Sequence, residues 1–266
     1  MALSAEAETS RDVVQTLLQQ RGDGIGDSLL DGNCDLVRAF RNQQRTLQAH
    51  GELVVPDRQN RSVFFLFSGW AHRYRLLPDG RRQIIDIYLP GDLVGIDAFL
   101  GTKPTDGIIA LTDVSFSGLD IPAFEKLVAD PVVALQLVAL MGAERRRIDN
   151  RLVDVGRLLA EEKIAALILE LYERLCQRGL VKRPSFILPL TQQQIGDHLG
   201  MTIVHVNRVL RRLRENGVLV LQRQTVIIQD MAKLRMLVSC TIKEHPLTAI
   251  STIPAGPRPA PESVPR

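Results

Sequence analysis

The residues with the clearest chemistry lie between Leu190 and Gly217, where Thr191, Gln192, Gln193, Thr202, Ile203, Val204, His205, Asn207, Arg208, Arg211 and Arg212 are interleaved with a regular apolar pattern. Hydroxyls, amides and guanidinium groups of this kind bond phosphate oxygens and the edges of bases. Their spacing decides which of them can act together. Thr191 with Gln194 three positions on is a capping box, and Ile195 and Leu199 give a first helix one apolar stripe. Gly200 permits a tight turn and Thr202 can cap a second helix, whose buried stripe is Val206, Leu210 and Leu213 before Gly217 ends it. With that stripe inward, Ile203, His205, Asn207, Arg208, Arg211 and Arg212 project outward, where a recognition helix reads a major groove. Val204 has no polar atom and can only touch a thymine methyl or pack inside.

Charge agrees with this reading. From Thr191 to Gln229 the arginines 208, 211, 212, 214 and 223 face only Asp197 and Glu215, a surplus equal to the whole chain's net charge of +3. Val218 to Leu221 and Thr225 to Ile228 flank the polar tip Gln222-Arg223-Gln224, a β-hairpin wing able to reach the DNA backbone. Helix-turn-helix units also serve as protein-interaction modules. Salt separates the two, because phosphate contacts release counterions and weaken steeply as salt rises.

A chain of 266 residues with 45% hydrophobic and 24% charged residues must position these side chains on at least one sizeable core, with two domains expected. Between about Leu47 and Leu119, short apolar runs alternate with turn signals at the spacing of an antiparallel barrel or sandwich. Pro78-Asp79-Gly80 is a hairpin turn, since proline presets φ and glycine supplies positive φ. Pro131 can open a long helix in which Met141, Ile148, Leu152, Val155 and Leu159 recur as in a coiled-coil seam, with charges on the other faces. Lys163 to Arg178 is a second amphipathic helix, and the proline-rich stretch 246–266 carries no helix or strand period. Cys34, Cys176 and Cys240 form no C-x-x-C pair, which argues against a disulfide scaffold or a zinc ribbon. No segment reads as a leader or a membrane span, so a cytoplasmic protein is expected.

The order of a β-rich domain with Pro90-Gly91-Asp92-Leu93-Val94-Gly95, a long helix, then the helix-turn-helix from Leu190 to Leu219 resembles the Crp/Fnr family of bacterial transcription regulators. It covers about 36–237. The resemblance implies an α+β architecture: an antiparallel jelly roll of the cyclic-nucleotide-binding type, a long dimerisation helix and a winged helix-turn-helix. The expected boundaries are 1–30 for an N-terminal extension, 31–130 for the sensory β domain, 131–158 for the dimer helix, 159–240 for the DNA-binding domain and 241–266 for a disordered tail. It further implies a homodimer through Met141, Ile148, Leu152 and Val155 on a near-palindromic operator, with double-stranded DNA and RNA polymerase as partners. Many members carry a glutamate where Val204 stands and an arginine where Arg208 stands, which together read a G·C pair; here only the arginine is present.

Members that bind cyclic AMP resemble one another in a Gly-Glu-Leu stretch and a later Arg-Ser pair that holds the cyclic phosphate. Gly91-Asp92-Leu93 matches the first loosely; Pro104 and Thr105 stand where the pair would fall, and Asp106 would repel a phosphate. The effector-pocket candidates are thus Gly91, Asp92, Leu93 and Thr105, and cyclic AMP is not expected. A four-iron cluster is not expected either, because the oxygen-sensing branch is marked by a cluster of N-terminal cysteines, of which only Cys34 is present. For haem, His50, His72 and Cys34 are axial candidates of ordinary type, lone histidines on strands being more often structural. A cupin-type metalloenzyme is the alternative from another class, although the β region offers only His50 and His72 and no nucleophile–base spacing. Trp70 in Ser68-Gly69-Trp70 is expected to pack the barrel and not to touch a ligand.

Overall fold

Alternation of buried and exposed residues along Ser62–Ser68, and the turn chemistry between successive runs, builds a two-layered β domain in the computed structural model. The described residues are 35–41, 43–101, 103–181 and 183–239, so the expected extension 1–30, the tail 241–266, Cys34 and Cys240 lie outside them. The strands are β1 (Arg45–Leu47), β2 (Glu52–Val54), β3 (Ser62–Ser68), β4 (Ala71–Leu76), β5 (Arg82–Tyr88), β6 (Leu93–Val94), β7 (Gly107–Ala110) and β8 (Val114–Asp120). They form two antiparallel sheets of order β1-β8-β3-β6 and β2-β7-β4-β5, the jelly-roll arrangement. Val54, Leu66, Tyr88, Val94, Ile108 and Val114 fill a core in this domain. The β4–β5 turn closes as the sequence predicts: Leu77 N–H donates to Arg81 O at 2.8 Å and Gly80 has φ of 83°.

After a short α1 (Asp35–Ala39), whose flank places Leu36, Val37 and Phe40 against Phe65, Phe124, Val133 and Leu137, the helices follow the β domain. Asp120 caps α2 (Ile121–Val128), and Asp130 caps the 27-residue α3 (Pro131–Arg157) by accepting from Val132 N–H at 2.8 Å, with proline at its first position. The chain breaks at buried Leu158 and resumes as α4 (Ala160–Gln177), whose start is fixed by Leu159 N–H donating to Glu162 Oε2 at 2.7 Å. The last domain adds β9 (Ser185–Ile187), α5 (Gln192–Leu199), α6 (Ile203–Glu215), β10 (Leu219–Gln222), β11 (Thr225–Ile228) and α7 (Met231–Ser239). Strand β9, which the sequence does not announce, pairs with β11 and makes the wing a three-stranded sheet.

The β domain and the C-terminal domain share one apolar cluster. Trp70, Tyr74, Ile84 and Ile87 of the β domain pack in the same core as Ile164, Ile168 and Leu171 of α4 and Ile195 and Leu199 of α5. Trp70 therefore packs as expected, but in the cluster shared with α4. Ion pairs run beside this apolar contact. Fully buried Asp86 takes Arg151 at 3.1 Å, and Asp92 takes Arg174 at 2.6 Å and Arg178 at 2.5 Å. Burial alone would raise both carboxyl pKa values, yet the surrounding arginines hold them below the usual range. Removing one partner of such a pair strands a buried charge, so the clasp is costly to half-break.

Two buried histidines sit at the same seam and set its response to acid. Burial first, and neighbouring cations second, hold His72 down to about 4 and His198 to about 3. An unfolded histidine protonates near 6.5, so below that pH the unfolded chain binds more protons and stability falls as pH falls. From pH 7 to pH 5 the two together should lose about 3–4 kcal/mol. Asp154, raised to about 6 by burial and by Glu170, takes up a proton in the folded state and offsets a part of this loss. His72 has neither ring nitrogen hydrogen-bonded among the described residues and is 1% exposed, so His72→Leu should keep stability at pH 7 and remove about half of the acid sensitivity. Thermal melts at both pH values check this; an unchanged difference between them would refute it.

Candidate nucleic-acid interface

The reading element is fixed from its caps inward. Thr191 Oγ1 accepts from Gln194 N–H at 3.1 Å while Gln194 Oε1 accepts from Thr191 N–H at 2.8 Å, the reciprocal capping box. Gly200 ends α5 in the left-handed region at φ 68°, and Thr202 Oγ1 accepts from His205 N–H at 3.3 Å to start α6. Gly196 is the residue at this turn that sequence reasoning passes over: a Cβ there would meet Met201 O at 2.5 Å, so only glycine lets the two helices close this tightly. Val206, Val209, Leu210 and Leu213 are buried, and this fixes the rotation of α6 about its axis.

That rotation leaves Thr202, Ile203, Val204, His205, Asn207, Arg208, Arg211 and Arg212 exposed. Thr191 and Gln193 are exposed with them, and Gln192 is half-buried. Their electrostatic states differ. Arg211 pairs with Glu215 at 2.8 Å along α6, and Arg212 reaches back to Glu161 of α4 at 2.7 Å. Arg208 has no carboxylate partner among the described residues, so its five donors are available. Gln193 Nε2 donates to Asp197 Oδ1 at 2.7 Å. In the wing, Arg223 and Gln224 make the two-residue turn with φ of 46° and 63°, which presents the Arg223 side chain at the exposed tip.

His198, on the opposite side of α5, is buried: its Nδ1–H donates to Ile84 O at 3.2 Å, while Gln83 Nε2 donates to His198 O at 3.3 Å. No sequence signal singles it out, because its partner is 114 residues away.

The residues expected to form a seam on α3 lie as an apolar stripe on the outside. Leu152 is 75% exposed, Met141 and Val155 are exposed and Ile148 is half-buried; Val138, 65% exposed, extends the stripe by one step. The effector candidates are not brought into one cavity. Asp92, expected as an effector-pocket residue, has both of its oxygens held by Arg174 and Arg178. Leu93 pairs with Phe65 in the sheet, and Gly91 lines a cleft of about 480 Å³ whose walls include Val37 and Phe65 but not Thr105. Thr105 Oγ1 accepts from Arg75 at 3.2 Å, beside the Arg75–Asp106 pair at 2.6 Å, so the anion repulsion expected of Asp106 is met from within the chain. His50 is exposed in a turn, and among the described residues no cluster of three or more metal-binding side chains occurs. Among them no single helix is long and apolar enough to cross a membrane.

Residues 162–237 match the family described as the Crp-like helix-turn-helix domain, and residues 44–130 the cyclic nucleotide-binding domain. The chain is 31% identical over 206 residues to an anaerobic regulatory protein of Aggregatibacter actinomycetemcomitans, covering 77% of each. It is 30% identical over 205 residues to the nitrogen fixation regulation protein FixK of Bradyrhizobium diazoefficiens, covering 76% of this chain and 85% of that one. Among solved structures, FixK2 from Bradyrhizobium japonicum is similar with a TM-score of 0.67 at 28% identity, over 73% of this chain and 96% of that one.

Proposed function

Since the chain belongs to the Crp/Fnr family of transcription regulators, we propose that it works as a homodimer joined along α3, each protomer setting one α6 into the major groove of one half-site. The observation that carries this reading is the exposed face of α6 with Arg208 unpaired on it. Arg208 donates to guanine O6 and N7; Thr191, Gln192, Gln193 and Thr202 secure the first helix and the turn on phosphates; Arg211 and Arg212 add charge a turn further on. Ile203 and Val204 offer methyl contacts, and His205 and Asn207 stand where polar base contacts are made. RNA polymerase is the proposed protein partner, the cytoplasm the proposed location, and no catalytic step is assigned. Selection of bound sequences from random duplex DNA tests this. Two inverted half-sites with centres about 10 base pairs apart, each with a guanine under Arg208, are expected; recovery of unrelated sequences would reject the reading.

A further inference from the structure

A cleft of about 890 Å³ separates the β4–β5 hairpin from the reading head, with Leu77, Arg81 and Arg82 on one wall and Thr191, Gln193 and Ile203 on the other. We propose that this hairpin is a second DNA contact, in which Arg81 and Arg82 hold phosphates of the strand that passes the start of α5, outside the half-site read by α6. The proposal rests on α6 as the reading element.

Three observations support it. The first is continuity. The far wall of the cleft carries Thr191, Gln193 and Ile203, the side chains that the proposed function sets against DNA, so a duplex seated there would run over the cleft mouth. The second is charge. Arg82 lies over the Tyr74 ring with its guanidinium carbon 4.9 Å from the centroid, a stacking that orients the group while leaving its N–H edges open, and it pairs with no carboxylate among the described residues. Arg81, with a side chain 77% exposed, bonds Asp79 through Nε at 2.7 Å, and Asp79 also accepts from Arg81 N–H at 3.1 Å. That pair cancels part of the hairpin's charge and shapes the turn, so the hairpin matches one or two phosphates and no more.

The third is rigidity. Leu76 pairs with Arg82 and Arg75 with Gln83 across the hairpin, and β5 is tied to α5 through Gln83, Ile84 and His198. Hairpin and reading head therefore meet the duplex as one surface, with little ordering left to oppose the contact.

The test uses the full chain on its selected operator in two duplexes, one ending at the half-sites and one extended beyond them by about a turn. The unaltered protein is expected to bind the extended duplex more tightly. R81Q/R82Q should bind both alike, with about a tenfold loss on the extended duplex and a salt slope shallower by about 1–2 units. R81Q alone changes an exposed side chain and should give about half of the slope change, so a folding defect in the double variant cannot mimic the result. Arg208→Ala is measured alongside. If R81Q/R82Q matches the unaltered protein in affinity and slope while Arg208→Ala loses base discrimination, the hairpin contact is overturned and the reading of α6 stands.

Discussion

Glutamate at both Ile148 and Leu152 will give a monomer whose affinity for a two-half-site duplex is about 10²–10⁴ lower, the factor that joining two binding heads contributes. Positions 138, 141, 148, 152, 155 and 159 of the chain alternate in steps of three and four, with Arg145 filling the one gap, where it pairs with Asp149 at 2.9 Å. In the single chain this stripe is largely uncovered at Val138 and Leu152, while Ile148 is half-buried. Leu152 is 75% exposed, so the two replacements remove little packing within the protomer; the variant should fold, and should melt below the unaltered protein by the stability that association adds, a gap that widens with protein concentration. In a pair of α3 helices the same position is buried, and each fully covered leucine or isoleucine contributes about 1.5–3 kcal/mol, whereas two glutamates there would be a desolvated like-charge pair. Light scattering and titration of the operator measure the two losses. A variant that stays dimeric and binds normally would show that the stripe is not the seam.

Arg208→Ala is expected to cost about 1–3 kcal/mol on the selected operator, roughly tenfold to a hundredfold, and to relax one base position in each half-site. Arg208 is exposed and unpaired, so the change breaks no bond within the protein. The loss then measures readout and not folding. Arg212→Ala differs in kind: it removes the ion pair to Glu161 together with a positive charge, and should weaken all sequences alike. Full discrimination retained by Arg208→Ala at every operator position would remove it from the reading role.

Local chemistry makes the reading head legible in the amino-acid sequence alone. Thr191, Gln194, Gly200, Thr202 and Gly217 act through partners within a few residues, and the structure has each in its expected place. The wing turn and the β4–β5 hairpin are readable for the same reason. Asp92 is not, because its meaning comes from Arg174 and Arg178, more than eighty residues later, and a Gly-Asp-Leu string carries no trace of that pairing. His198 is invisible on the same ground. The short strands β1, β6 and β9 are held by neighbours remote in sequence and have too few residues to show a period. Val138 escapes a seam that is read from Met141 onward, although the same three-and-four step reaches it.

The apolar cluster that α4 and α5 share with β4 and β5 governs how a signal could travel through the chain. A reading head on a bare linker would sample many orientations, and a regulator would have to select one of them. Here any swing of α5 away from β5 would wet Ile84, Ile195 and Leu199 together, and a swing that carries α4 along would also part buried Asp92 from Arg174 and Arg178. Small tilts are therefore stiffly resisted and large ones are all-or-none. The chain has the mechanics of a latch: an input can set when the head is released, while the angle at which it is held is already built in.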